Sequence, residues 1–87
     1  MKLKEGVLVN EIDDQVMAVD AGNGRERFSG LVRMNKTAGF VAELLQKETS
    51  LEEIVKAMTQ EYDITEEVAR ANAQKVIDAF QGAGLME

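Results

Sequence analysis

Sixteen carboxylates stand in this sequence of 87 residues, and three adjacent pairs of them, Asp13-Asp14, Glu52-Glu53 and Glu66-Glu67, have the form that acid–base chemistry uses. Paired carboxylates can divide general acid and general base work or hold a hard cation. Each pair here has a simpler origin. Asp13-Asp14 separates two alternating stretches and suits a tight turn, while the glutamate pairs follow Ser50 and Thr65 and face the positive end of a helix dipole. With neither a calcium-loop spacing nor a second cluster, no metal is expected. Histidine and cysteine are absent, which removes imidazole bases, thiolate nucleophiles, disulfides and the usual zinc or haem ligands together. The expectation is a protein without catalytic residues and without a cofactor.

Two further motifs yield to the same scrutiny. Gly22-Asn23-Gly24 lacks the lysine and the helix start that a phosphate-cradling loop requires. Ser50-Leu51 at a helix start resembles the phosphopantetheine serine of acyl carrier proteins, but Thr49 stands where that family has aspartate and the chain opens with strands. Capping alone explains Ser50. A net charge of −6 repels phosphate backbones and anionic lipid, so neither nucleic acid nor a membrane is the expected partner. No stretch reaches the roughly 18 apolar residues of a membrane span. The first residues carry no apolar core of about 7–15 residues like that of a secretory signal, and a cytoplasmic location is expected.

The elements that position these residues follow from a change of hydrophobic period. Over Val7 to Ile12 and Gln15 to Asp20 apolar side chains alternate, which predicts a hairpin closed by Asp13-Asp14. Asn23-Gly24 sits in a polar connection that can take positive φ. Phe28, Leu31, Val32 and Met34 predict a short third strand, antiparallel to the hairpin, with Gly30 leaving room for a bulge. From Asn35 onward the spacing is helical. Asn35 caps a helix over about 36–46 carrying Phe40, Val41, Leu44 and Leu45, and Gly39 within it costs roughly 1 kcal/mol relative to alanine, tolerable where another backbone packs closely. Ser50 to Glu53 forms a capping box ahead of Leu51, Ile54, Val55, Met58 and Tyr62. Thr65 caps a third helix with Ala69, Ala73, Val76, Ile77 and Phe80 as its buried stripe, ended by Gly82 and Gly84 before Leu85 docks. The expected fold class is α+β, a winged-helix-like arrangement of a three-stranded antiparallel sheet followed by three helices (βββααα), in one domain over residues 1–87.

Two uses of this scaffold are open. The second and third helices form a helix-turn-helix reading with Arg70, Asn72, Gln74 and Lys75 as groove readers, opposed by Glu66, Glu67 and Asp78 on the same helix. Peptide capture is the other: an edge strand offers unpaired N–H and C=O groups that an incoming strand can satisfy. A short third strand closed off by its own loop remains the alternative to that free edge.

The stretch from Phe28 through Phe40, with Arg33-Met34-Asn35 running into Thr37 and Gly39, followed by Glu43-Leu44-Leu45, resembles the PqqD family. The likeness continues through Ser50 to Val55, Tyr62-Asp63, Thr65 and Gly84-Leu85. The resemblance implies a non-enzymatic peptide chaperone that binds the leader segment of a ribosomally synthesised precursor peptide. Such a protein presents the peptide to a modifying enzyme, often a radical S-adenosylmethionine enzyme, as in pyrroloquinoline quinone biosynthesis. It also implies strand addition at Leu31, Val32, Arg33 and Met34, with the leader packed on the third helix. Helical steps of three and four place Val68, Asn72, Lys75 and Ala79 on one flank of that helix, the side chosen here over Arg70, Gln74 and Gln81. The expected state is a monomer or a homodimer paired through the same edge.

Overall fold

The computed structural model describes residues 1–20 and 31–87, with the backbone alone at Leu31. Strands β1 (Val7–Ile12), β2 (Gln15–Asp20) and β3 (Leu31–Met34) form a meander in the order β1-β2-β3, antiparallel throughout. Helices α1 (Lys36–Leu44), α2 (Leu51–Glu61) and α3 (Glu66–Gly82) follow, so the βββααα order holds. The Asn23-Gly24 connection and the Phe28 and Gly30 positions of the third strand lie outside the described residues.

Ile12 pairs with Gln15, which leaves Asp13-Asp14 as the turn and puts Asp13 at φ 56°, a left-handed conformation that a short polar side chain tolerates. The register sets Val9, Ala18 and Val32 in one cross-strand row and Glu11, Val16 and Met34 in the next, all on one face. That face meets the helices, and Val16 and Ala18 are buried there. The opposite face presents Leu8 and Ile12, 52% and 56% exposed.

Each helix starts where a side chain supplies the acceptor that the first turn lacks. Asn35 Oδ1 accepts from the Ala38 N–H at 2.9 Å, Ser50 Oγ from Glu53 at 3.2 Å and Thr65 Oγ1 from Val68 at 3.2 Å. Of the stripes expected from spacing, Val41 and Leu45 at α1, Ile54, Val55 and Met58 on α2, and Ala69, Ala73, Val76, Ile77 and Phe80 on α3 are buried, whereas Phe40, Leu44, Leu51 and Tyr62 are half-buried. Two ends differ from expectation. Helix α1 stops at Leu44, and Gly82 is still helical, so that Gly84 alone takes the positive φ of 75°. The Gly84 N–H donates to Gln81 O at 3.1 Å and the Leu85 N–H to Phe80 O at 2.9 Å, a Schellman pattern that turns Leu85 into the core.

A methyl group at Gly39 would lie 2.5 Å from Val16 Cγ2 and 2.9 Å from Val16 Cβ. The glycine therefore admits a side chain of β2, where the sequence reading expected a neighbouring backbone. Its effect is to let α1 lie directly on the sheet. The chain ends meet as well: Leu3 bridges Met86, and the Leu3 N–H donates to Leu45 O at 2.8 Å. Among the described residues no helix is long and apolar enough to cross a membrane.

Candidate functional site

Strand β3 is a margin of the sheet. It pairs with β2 on one side, and among the described residues no strand pairs with the other. Alternate residues of an edge strand turn their N–H and C=O outward, so about two of the four residues Leu31–Met34 present polar groups without a ladder partner among the described residues.

Helix α3 flanks this margin across a groove. A cavity of about 140 Å³ has Val32, Arg33 and Met34 as its β3 wall and Lys75, Val76 and Ala79 as its α3 wall, with Ala38 contributed by α1. The adjoining cavity, about 280 Å³, takes Asn72 and Lys75 from α3 and Asn35 and Thr37 from the start of α1. Val41 and Met58, both fully buried, give it an apolar floor. Ala38, Lys75 and Val76 line both cavities, which join them into one groove. An extended backbone could lie along β3 while alternate side chains enter these spaces.

The structure brings most of the expected site residues together. Val32, Arg33, Met34, Asn72, Lys75 and Ala79 line the groove, and Leu31 contributes its strand backbone. Val68 does not join them. It is 45% exposed and lines neither cavity, because it precedes Lys75 by seven residues, about 10 Å along the helix. Val68 shares the helical phase of Lys75 but lies beyond the end of the two cavities. Thr37, Ala38 and Val76 belong to the groove but were absent from the sequence-based set; Val76 was assigned to the buried stripe, and it closes the groove from that position.

The other flank of α3 is engaged elsewhere. Arg70 Nη1 and Nη2 donate to Glu52 Oε2 and Oε1 at 2.8 and 2.9 Å, a bidentate fork, and Nη2 also reaches Glu66 Oε2 at 3.4 Å. Hydrogen bonds from Arg70, then its charge, hold the Glu52 carboxyl below the usual carboxylate range; the same bond and charge from Glu52, joined by Glu66, raise the Arg70 pKa. Gln74 donates to Asp78 Oδ1 at 2.9 Å. The four side chains of the helix-turn-helix reading are thus split, Arg70 and Gln74 among acidic neighbours and Asn72 and Lys75 in the groove. Nothing in that division favours duplex DNA.

Fold and groove together define a small α+β domain in which β3 is the margin of the described sheet and lies beside the last helix. The family model of PqqD, coenzyme PQQ synthesis protein D, matches residues 5–86, and the chain belongs to that family. It is similar in structure to TbiB1 in complex with the TbiA(beta) leader peptide, with a TM-score of 0.76 and 23% identity, covering 100% of this chain and 95% of that one. It is also similar to lasso peptide synthetase B1 complexed with the leader peptide, with a TM-score of 0.71 and 18% identity over 97% of this chain and 93% of that one. At these identities the likeness establishes the fold. No curated protein matches the chain.

Proposed function

We propose that this protein is a non-catalytic peptide chaperone that binds the leader segment of a ribosomally synthesised precursor by strand addition to β3 and presents the precursor to a modifying enzyme. The observation that carries the reading is the coincidence of a β3 margin that no described strand pairs with and a continuous groove against α3, in a member of the PqqD family. Both structural relatives are complexes with leader peptides. Main-chain hydrogen bonds from the outward-facing alternate residues among Leu31, Val32, Arg33 and Met34 supply register and a net gain of about 0.5–1.5 kcal/mol each. Side chains of the leader that point toward α3 enter the groove at Asn72, Lys75 and Ala79 and set selectivity. Catalysis resides in the partner, a radical S-adenosylmethionine enzyme or another peptide-modifying enzyme, and the pair works in the cytoplasm, where precursors leave the ribosome.

The test is a titration of the whole chain with the leader of a precursor encoded beside it, followed by calorimetry and amide NMR, with light scattering on the same samples. The expected result is one leader per monomer, with shifts concentrated at residues 31–34 and 72–79. A homodimer held through β3 that the leader does not displace would overturn the reading, and so would binding that leaves those amides unmoved.

A further inference from the structure

We infer that the groove selects a leader segment in which two consecutive acidic side chains adjoin an aliphatic one, with Lys75 and Arg33 reading the charge and the smaller cavity receiving the aliphatic group. This rests on the strand-addition reading above and goes on to specify the class of peptide.

The charges around the groove are one-sided. The chain carries sixteen acidic residues against ten basic ones, yet among the described residues the only charged side chains lining the two cavities are the cations Lys75 and Arg33. Neither forms an ion pair with another described residue, whereas Lys36 and Arg70 are both bridged to carboxylates. The two cations sit on opposite sides of the strand margin. Arg33 lies opposite Met17, on the face of the sheet turned away from the helices, and Lys75 projects from α3 on the face turned toward them. A guest strand at this margin alternates its side chains between those faces, so one guest residue meets Lys75, the next meets Arg33, and the next again faces α3.

The apolar part fits the same pattern. Val32, Met34, Val76 and Ala79 enclose about 140 Å³, close to the roughly 150 Å³ that holds benzene in an engineered cavity, and enough for one leucine-sized side chain. The required guest is therefore acidic, acidic, aliphatic along three consecutive positions, read in whichever direction the strand runs. Electrostatic selection at an exposed groove discriminates more through rejection of the wrong charge than through raw affinity.

The experiment uses the full chain and two synthetic ten-residue peptides, one with Glu-Glu-Leu-Glu-Glu at its centre and one with Lys-Lys-Leu-Lys-Lys, each flanked by serine and threonine. The centres read the same in both directions, so strand polarity does not bias the comparison. Amide NMR titration at low salt is expected to show the acidic peptide binding at β3 on the order of tenfold more tightly, with the preference fading as salt screens it. The double variant Lys75→Glu/Arg33→Glu, whose own spectrum reports that it folds, should reverse the order. Equal binding of both peptides along β3 would leave strand addition standing and overturn the charge rule. Failure of both peptides to move the β3 amides would overturn both.

Discussion

The two margins of the sheet differ in a way that cavity size does not capture. The cleft beside β1, between the sheet and α1, holds about 360 Å³, more than either cavity beside β3. The cation that lines it is already answered: Lys36 Nζ lies 3.4 Å from Glu11 and 4.0 Å from Asp14. Phe40 and Tyr62, which line it, meet edge to face with centroids 5.5 Å apart. Each cavity on the β3 side is smaller, but the cations there form no ion pair with a described residue, and the apolar wall stands beside strand backbone that has no ladder partner among the described residues. Unmet bonding capacity, rather than volume, is what marks the β3 side as the candidate site.

The sharpest way to break this comparison is to remove donors from one margin. Successive residues of a strand point their N–H groups in opposite directions, so of Val32→Pro and Arg33→Pro one deletes a bond meant for the guest and the other a bond to β2. The first should lower leader affinity more than about tenfold with the melting temperature nearly unchanged, and the second should mainly lower the melting temperature. Leu8→Lys and Ile12→Lys on β1, at exposed positions facing away from the helices, should leave leader binding as it is. If calorimetry shows that both proline variants fold and bind as the parent does, the guest does not lie along β3.

A smaller effect, on stability, comes from the site that seats α1 on the sheet. Gly39→Ala gains helix propensity of about 1 kcal/mol but drives a methyl group into Val16, an overpacking that costs about 1–3 kcal/mol. Val16 is branched at Cβ and buried, so it cannot swing aside, and a net loss of roughly 1–2 kcal/mol is expected in denaturant unfolding. Leader affinity per folded molecule should stay constant, because Gly39 lines the β1 cleft and not the groove. A stabilised variant would show that α1 can lift away from β2.

Much of the fold was legible because its signals are local. Asn35, Ser50 and Thr65 each cap the helix that spacing assigned to them, and Asp13-Asp14 turns between strands whose alternation alone marked the hairpin. Gly39 announced a close approach, though only packing reveals that the neighbour is the Val16 side chain. The bridge of Leu3 to Met86 left no trace in periodicity, since Lys2 and Lys4 surround a single leucine whose partner is at the far end of the chain. In the candidate site, helical phase found Asn72, Lys75 and Ala79 but also enlisted Val68. Phase gives the angle around α3, whereas the length of the groove is set by β3 and the start of α1.

Which flank of α3 faces the groove was likewise beyond phase, and the discriminating fact is non-local: Arg70 is held by Glu52, eighteen residues earlier. This clamp leads to the smallest effect. Because the Glu52 carboxyl sits below its ordinary value of 4.5 in the folded protein, its contribution to stability is complete above that pH and is lost as pH falls through the lowered folded value. Arg70→Gln should therefore flatten the acid limb of a melting-temperature profile below pH 4.5, slightly and in a salt-sensitive manner, because the pair is exposed to solvent. Leader affinity should not change, since Arg70 spends its hydrogen bonds on α2 and its own first turn while Lys75 faces β3. A loss of leader binding in the folded Arg70→Gln variant would move the working flank of α3 to the other side.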